Sequence, residues 1–251
     1  DGSVILVEIM RGTLSRVMPD GEIQVVAEPG GGPNGAAMGP DGHCYICNNG
    51  GFEWSRSSRG LIFPGNQASD YTTGRIEKIN VETGVVEKLY TDCDGEPLKG
   101  PNDIVFDKEG GFWFTDHGKN RARDRDRTGV YYATVDGQHI VEAIFPMEAP
   151  NGIGLSPDEN TLYVAETPTG RLWAYALAAP GEIDRSQRPC MMAQIPDHHM
   201  FDSLAVDAEG NVCVATLING GITIHSGDGE FAKHISMPDA LTTNICFGGE
   251  G

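Results

Sequence analysis

Four residues carry the chemistry this sequence offers: Asn102, Asp103, Asn151 and Asp202. They belong to a recurring sentence. It reads GPNDIVFDKEGGFWFTDHG from Gly100, GPNGAAMGPDGHCYICNN from Gly32, APNGIGLSPDENTLYVAET from Ala149 and FDSLAVDAEGNVCVATL from Phe201, with a shortened copy, TTNICFGGEG, near the end. Aligned, Asn34, Asn102, Asn151, Asp202 and Asn244 share one register, and eight positions after the first four stand Gly42, Gly110, Glu159 and Gly210. In a radially repeated fold, side chains at one register converge on the axis, so four carboxamides and a carboxylate are expected to meet there. Asn102, Asn151 and Asp202 would supply two amide oxygens and one carboxylate, hard donors that suit Ca²⁺ or Mg²⁺. One carboxylate does not balance a divalent charge in a partly buried site, so a second acid is expected. The competing reading makes these residues caps of the turns before each strand, bonded to backbone N–H groups. The protein would then be a non-catalytic propeller that binds a ligand or partner on one face.

The elements that must position these residues are short. The stretch from Gly100 holds two apolar strands joined by an Asp-x-x-Gly turn, and strands without polar alternation suit burial on both faces. Marker offsets of 68, 49, 51 and 42 residues, with 34 Gly, 15 Pro and no long helical period, indicate an all-β propeller in a single domain over residues 1–251. Gly2 matches the turn glycines, which puts a sixth marker seven positions before Asp1. The expectation is a six-bladed β-propeller incomplete at both termini, lacking its first inner strand and most of its last blade, which begins at Thr243–Phe247. The second acid is then expected ahead of Asp1; in a chain closed by other means, Glu8 or Glu250 would supply it.

One blade carries an insertion, Asn48–Thr73, whose Phe52, Trp54, Phe63 and Tyr71 predict a packed lid or rim over the hub. The run Asn120–Arg127 alternates in charge, as solvated loops do, with an anion-recognising rim as the sharper reading. His117, His198 and His199 border the same mouth or the surface. Cys44 and Cys47 form a lone C-x-x-C, but three apart on a strand they face opposite sides, and no second pair completes a zinc site. Buried free thiols in a reducing, cytoplasmic setting follow. A formal charge of −18 argues against nucleic acid and anionic membrane surfaces as partners. No apolar run reaches membrane-span length. A G-x-S-x-G elbow, H-E-x-x-H, P-loop, complete EF-hand loop and dinucleotide fingerprint are all absent from the sequence.

With its Gly100-Pro101-Asn102-Asp103, Phe114-Thr115-Asp116, Ala149-Pro150-Asn151-Gly152 and Phe201–Asp207 segments, the chain resembles, over essentially its whole length, the gluconolactonase/regucalcin-like (SGL) family. The resemblance implies a six-bladed propeller with one divalent metal at the hub, usually Ca²⁺, with Zn²⁺, Mn²⁺ or Mg²⁺ as alternatives. It implies a Glu from the first inner strand, Asn151 and Asp202 as ligands, with Asn102 binding substrate or joining the metal shell. It also implies Asp202 as acid/base and hydrolysis of a small-molecule lactone or ester; in such a lactonase, Asp103 is expected to hold the substrate or brace Asn102. A phosphotriesterase-type hydrolase is the alternative enzyme. The chain departs from the pattern twice. The family's Glu-Gly-Pro segment would precede Asp1, and Gly100 stands where sugar-lactone members carry Arg.

Overall fold

The structure, a computed structural model, describes residues 2–58, 60–195 and 199–248. Its organising local feature is the turn between inner and second strands. Asp107 accepts the N–H groups of Glu109 and Gly111, both at 3.0 Å, and Asp207 does the same for Glu209 and Asn211. The last turn position is left-handed in every copy: Gly42, Gly110, Glu159 and Gly210 have φ of 77°, 89°, 56° and 85°. That requirement is why glycine recurs there.

These turns start antiparallel meanders, each forming one blade. Blade I holds Val4–Glu8, Thr13–Val17 and Ile23–Ala27. Blade II runs Pro33–Met38, Cys44–Asn48, Arg75–Ile79 and Val86–Tyr90. Blade III runs Pro101–Phe106, Gly111–Asp116, Thr128–Thr134 and Ile140–Met147. Blade IV runs Pro150–Leu155, Thr161–Glu166, Arg171–Ala179 and Cys190–Gln194. Blade V runs Met200–Val206, Val212–Leu217, Gly221–His225 and Phe231–Ser236.

The core lies between blades. In the second strand of blade III, Phe112 and Phe114 face blade II, where they meet Tyr45 and Ile76, while Trp113 faces blade IV with Leu162 and Val164. Cys44 and Ile46 pack toward blade I, and Tyr45 and Cys47 toward blade III. The period-two alternation therefore feeds two apolar interfaces from one strand, and both faces must be apolar. It also sends Cys44 and Cys47 to opposite sides. All six cysteines are free; Cys190 and Cys246 are exposed and the other four buried.

Five blades form among the described residues, where the repeats predict six positions. The segment 241–248 follows blade V without becoming a strand. Leu241 makes a single bridge to Leu217, the Thr243 carbonyl accepts the Ser203 N–H at 3.3 Å, and Ile245 packs on Cys213 and Ile222. A neighbour on one side alone leaves the other edge of such a segment without a ladder. The insertion of blade II also differs from the expected loop. It is a β-hairpin, Phe52–Arg56 paired with Ile62–Gln67. No helix among the described residues is long and apolar enough to cross a membrane.

Candidate metal and active site

Every complete inner strand breaks its ladder at the same place. Pairing skips from Pro33 to Ala36, Pro101 to Ile104, Pro150 to Ile153 and Phe201 to Leu204. The marker residue and its successor thus sit in a β-bulge in each of blades II to V. A bulge lifts its residues out of the pleat and re-aims their side chains. Four equivalent bulges carry Asn34, Asn102, Asn151 and Asp202 at one position of the repeat.

Neighbouring bulges are in backbone contact. A Cβ on Gly35 would lie 2.4 Å from the Asn102 carbonyl oxygen, and one on Gly152 would lie 2.6 Å from the Asp202 oxygen and the Leu204 nitrogen. Glycine after the marker is therefore needed for the inner strands to close on one another. In blade III that position is Asp103, and its carboxylate ties three blades together. It accepts the Ser203 hydroxyl at 2.7 Å and the Ile104 N–H at 3.0 Å, with the Ile153 and Leu204 N–H groups also directed at it. Burial nevertheless pushes the Asp103 carboxyl up to about 6.

Asp202 lies beside it. Burial first, and then the charge of Asp103, raise its carboxyl to about 7, while the Asn151 amide draws it partway back. Asn151 is held by its amide N–H, which donates to the Thr167 hydroxyl at 3.0 Å. That bond leaves Asn151 Oδ1 buried with no hydrogen-bond partner. A buried orphan acceptor costs free energy, about 1–3 kcal/mol, unless something electropositive meets it. Asn102 is buried nearby, one bond from the Asp103 anchor. The donor set fits a hard divalent cation: an orphan amide oxygen, a second amide, and a carboxylate in the field of another. Among the described residues no three of His, Cys, Asp or Glu cluster as a metal cage, so a cation held here would also need amide oxygens.

Other candidates fall elsewhere. Asn244 is exposed, and its oxygen accepts the Ile245 N–H at 2.6 Å. Glu8 is not a free ligand, because Arg11, Thr13 and Ser15 all donate to it. His198 and Glu250 lie outside the described residues. Among the described residues, the acid whose charge acts on Asp202 is Asp103.

Sequence reasoning missed the residues that hold the markers in place. Fourteen positions after the marker, or fifteen in blade IV, stand Asn48, Asp116 and Glu166. Asn48 accepts the Gly32 N–H, Asp116 those of Lys99 and Gly100, and Glu166 that of Glu148. Each fixes the loop that leads into its own bulge. Their signal was a second polar register at the end of an otherwise apolar strand. Lys119 was missed too. It is 1% exposed, and its Nζ donates to the Asn49 and Gly51 carbonyls at 2.9 and 2.6 Å, lying 3.9 Å from the Phe52 ring centroid. Burial lowers it to about 8, with Asp116 and Asp126 opposing. Tyr71 completes the attachment through its hydroxyl, which donates to the Lys99 carbonyl at 2.7 Å. The hairpin is thereby docked on the loop that leads to Asn102.

Such a geometry, a bulged inner strand in each of blades II to V with oxygen donors at one position of the repeat, defines a propeller with a candidate cation-binding centre. The chain belongs to the SMP-30/gluconolactonase/LRE-like family, whose model matches residues 1–251. Among curated relatives, a Staphylococcus aureus protein named lactonase drp35 is 27% identical over 94% of this chain and 67% of its own length. A Zymomonas mobilis gluconolactonase is 26% identical over 93% and 66%. The chain thus spans about two thirds of the relatives it matches. Among solved structures, a gluconolactonase of Xanthomonas campestris superposes with a TM-score of 0.73 at 23% identity, over 94% of this chain and 72% of that one. A calcium-binding regucalcin of Agrobacterium tumefaciens gives 0.74 at 19%, over 96% and 72%.

Proposed function

We propose that this chain is a lactonase that opens its substrate at the hub, with Asn151, Asp202 and Asn102 holding one divalent metal, Ca²⁺ by donor type. The observation that carries this reading is the orphan Asn151 Oδ1 beside the Asp202 carboxylate. Lactonase and gluconolactonase relatives support the reaction class. The chemistry a hard divalent cation supplies in such a cradle is Lewis-acid polarisation of the substrate carbonyl. Asp202, with a carboxyl near neutrality, serves as acid/base toward water. Asn102 orients the lactone, since its amide makes no hydrogen bond within the described residues. Asp103 braces Asn102, because its own oxygens are committed to Ser203 and backbone N–H groups. The ring we propose is six-bladed, with 241–248 running where a further inner strand would lie. The six free cysteines support a reducing, cytoplasmic setting.

Turnover of a lactone panel with Ca²⁺, Mn²⁺ or Zn²⁺, compared with a chelated sample, tests the reading; equal rates after chelation overturn it. Two narrower results are expected. Thr167→Val frees the Asn151 amide to rotate, and calorimetry should show Ca²⁺ affinity falling about ten- to a hundredfold, as for other residues that orient metal ligands. Unchanged affinity would mean that Oδ1 is not a ligand. The hairpin is fastened to the blade III loop at Asn120, and we take it as a lid on that side of the mouth. Replacing Ser55–Gln67 by a short glycine linker should therefore change KM across the panel by about tenfold while shifting the melting temperature little. Unchanged kinetics would leave the hairpin as surface decoration.

A further inference from the structure

Thr115 is fully buried in the second strand of blade III, and its hydroxyl is engaged on both sides. Oγ1 accepts the Asp103 N–H at 3.1 Å and donates to the Asn151 carbonyl at 2.6 Å. These two groups belong to different blades. Both lie in bulges that the ladder passes over, from Pro101 to Ile104 and from Pro150 to Ile153. A buried peptide group displaced from its ladder needs another partner. One oxygen supplies it for the Asn102–Asp103 peptide and for Asn151 together.

The repeat tells where such a brace exists. In the second strands, the residues that follow the partners of Ala36, Ile104, Ile153 and Leu204 are Cys47, Thr115, Ala165 and Ala215. Of these four, only the first two carry a proton to donate, and each donates to the next blade. Cys47 Sγ reaches the Asp103 carbonyl at 3.5 Å, as Thr115 reaches that of Asn151. Asp103 is thus held at its N–H by blade III and at its carbonyl by blade II. Asn151 is held at its carbonyl by Thr115 and at its amide by Thr167. What remains is Asn151 Oδ1, buried and without a partner. A residue fixed at both backbone and side chain offers its free oxygen in one place, as a cation ligand must.

We propose that Thr115 is a positioning residue for the candidate cation site: its single hydroxyl sets the Asn102–Asp103 peptide against Asn151 and fixes the spacing of the donors they offer. This deepens the lactonase reading, on which it rests for the cation and not for the brace. The test is calcium titration of the whole chain by calorimetry. Thr115→Val keeps the shape and removes both bonds. It should weaken Ca²⁺ binding about ten- to a hundredfold, the usual effect of losing a group that orients a metal ligand. Thr115→Ser keeps the hydroxyl and should restore binding. If Thr115→Val does not fold, Thr115→Ala, which blades IV and V carry at this position, takes its place with the same expectation. Thr223→Val is the control for stability. Thr223 is buried in the third strand of blade V, where its hydroxyl meets Thr216 at 2.7 Å and the His234 ring at 3.0 Å. Its loss should lower the melting temperature and leave Ca²⁺ affinity unchanged. A second readout needs no metal. In the calcium-free chain, the Asp103 amide should exchange about tenfold faster or more in Thr115→Val than in wild type or Thr115→Ser, the worth of a lost buried hydrogen bond. If the wild type binds no cation yet this exchange pattern holds, the brace stands and the metal reading falls. In a wild type that binds Ca²⁺, unchanged affinity in Thr115→Val, or an equal loss in Thr115→Ser or Thr223→Val, overturns the proposal. Unchanged Asp103 exchange in Thr115→Val overturns it in either case.

Discussion

Asp202→Asn should lower lactone turnover by about a thousandfold or more, because it removes an acid/base and the charge of a proposed metal ligand together. The substitution keeps shape, so the loss should appear in kcat, with the fold intact by circular dichroism. Stability should move the other way. The Asp202 carboxyl is raised from 3.8 to about 7 by burial and by Asp103. Between those values the folded chain holds a proton that the unfolded chain has released, so this group makes stability fall as pH rises through the window. Without divalent metal, Asp202→Asn should therefore match the wild type near pH 4 and exceed it at pH 8 by about 1–2 kcal/mol, discounted for partial exposure. Calcium should reverse the order at pH 8 by stabilising the wild type alone. Denaturant melts at both pH values decide this. A variant less stable than wild type at pH 8 without metal would show that Asp202 is structural rather than poised for a cation.

Gly152→Ala is expected to be more damaging to the fold than any surface change. The added carbon would lie 2.6 Å from the Asp202 oxygen and the Leu204 nitrogen and 2.8 Å from the Ser203 carbonyl carbon. All three are backbone atoms of the next inner strand, so no rotamer can yield. Blades IV and V must separate at the hub, which breaks the bonds Asp103 makes to both. A loss of about 3 kcal/mol or more in urea unfolding is expected, the range of severe overpacking. Gly42→Ala is the control. Its Cβ meets nothing within 4 Å, and only the left-handed φ of 77° opposes it, which costs about 1 kcal/mol. Equal losses at the two sites would mean that hub contact is not what restricts Gly152.

Much of this was legible because the hub repeats. Asn102, Asn151 and Asp202 could be aligned on the turns that follow them, and the apolar run from Phe112 to Phe114 announced burial on both faces. The bulges were not legible. Asn-Gly reads as a turn, and only the ladder shows that Asn151-Gly152 interrupts a strand. Nor was the hairpin at Phe52–Gln67, whose Gly, Ser and Arg residues hide any alternation. Lys119 and Thr167 act on partners distant in sequence or outside any motif, as the Lys119 bond to Asn49 shows. Asn244 shares the register but is exposed and accepts the Ile245 N–H, and no strand forms around it among the described residues, so its register alone does not place it with the others.

The docked hairpin and the loop it is fastened to have a consequence for descent. The hub donors ride on bulges in inner strands that are locked to one another through Gly35, Asp103 and Gly152. The rim rides on two connecting segments, 49–73 and 117–127, fastened to each other by Lys119 and Asn120. A lineage can lengthen, shorten or exchange those segments as a pair without moving the hub. The rim can therefore vary in length and sequence while the contacts between inner strands stay as they are.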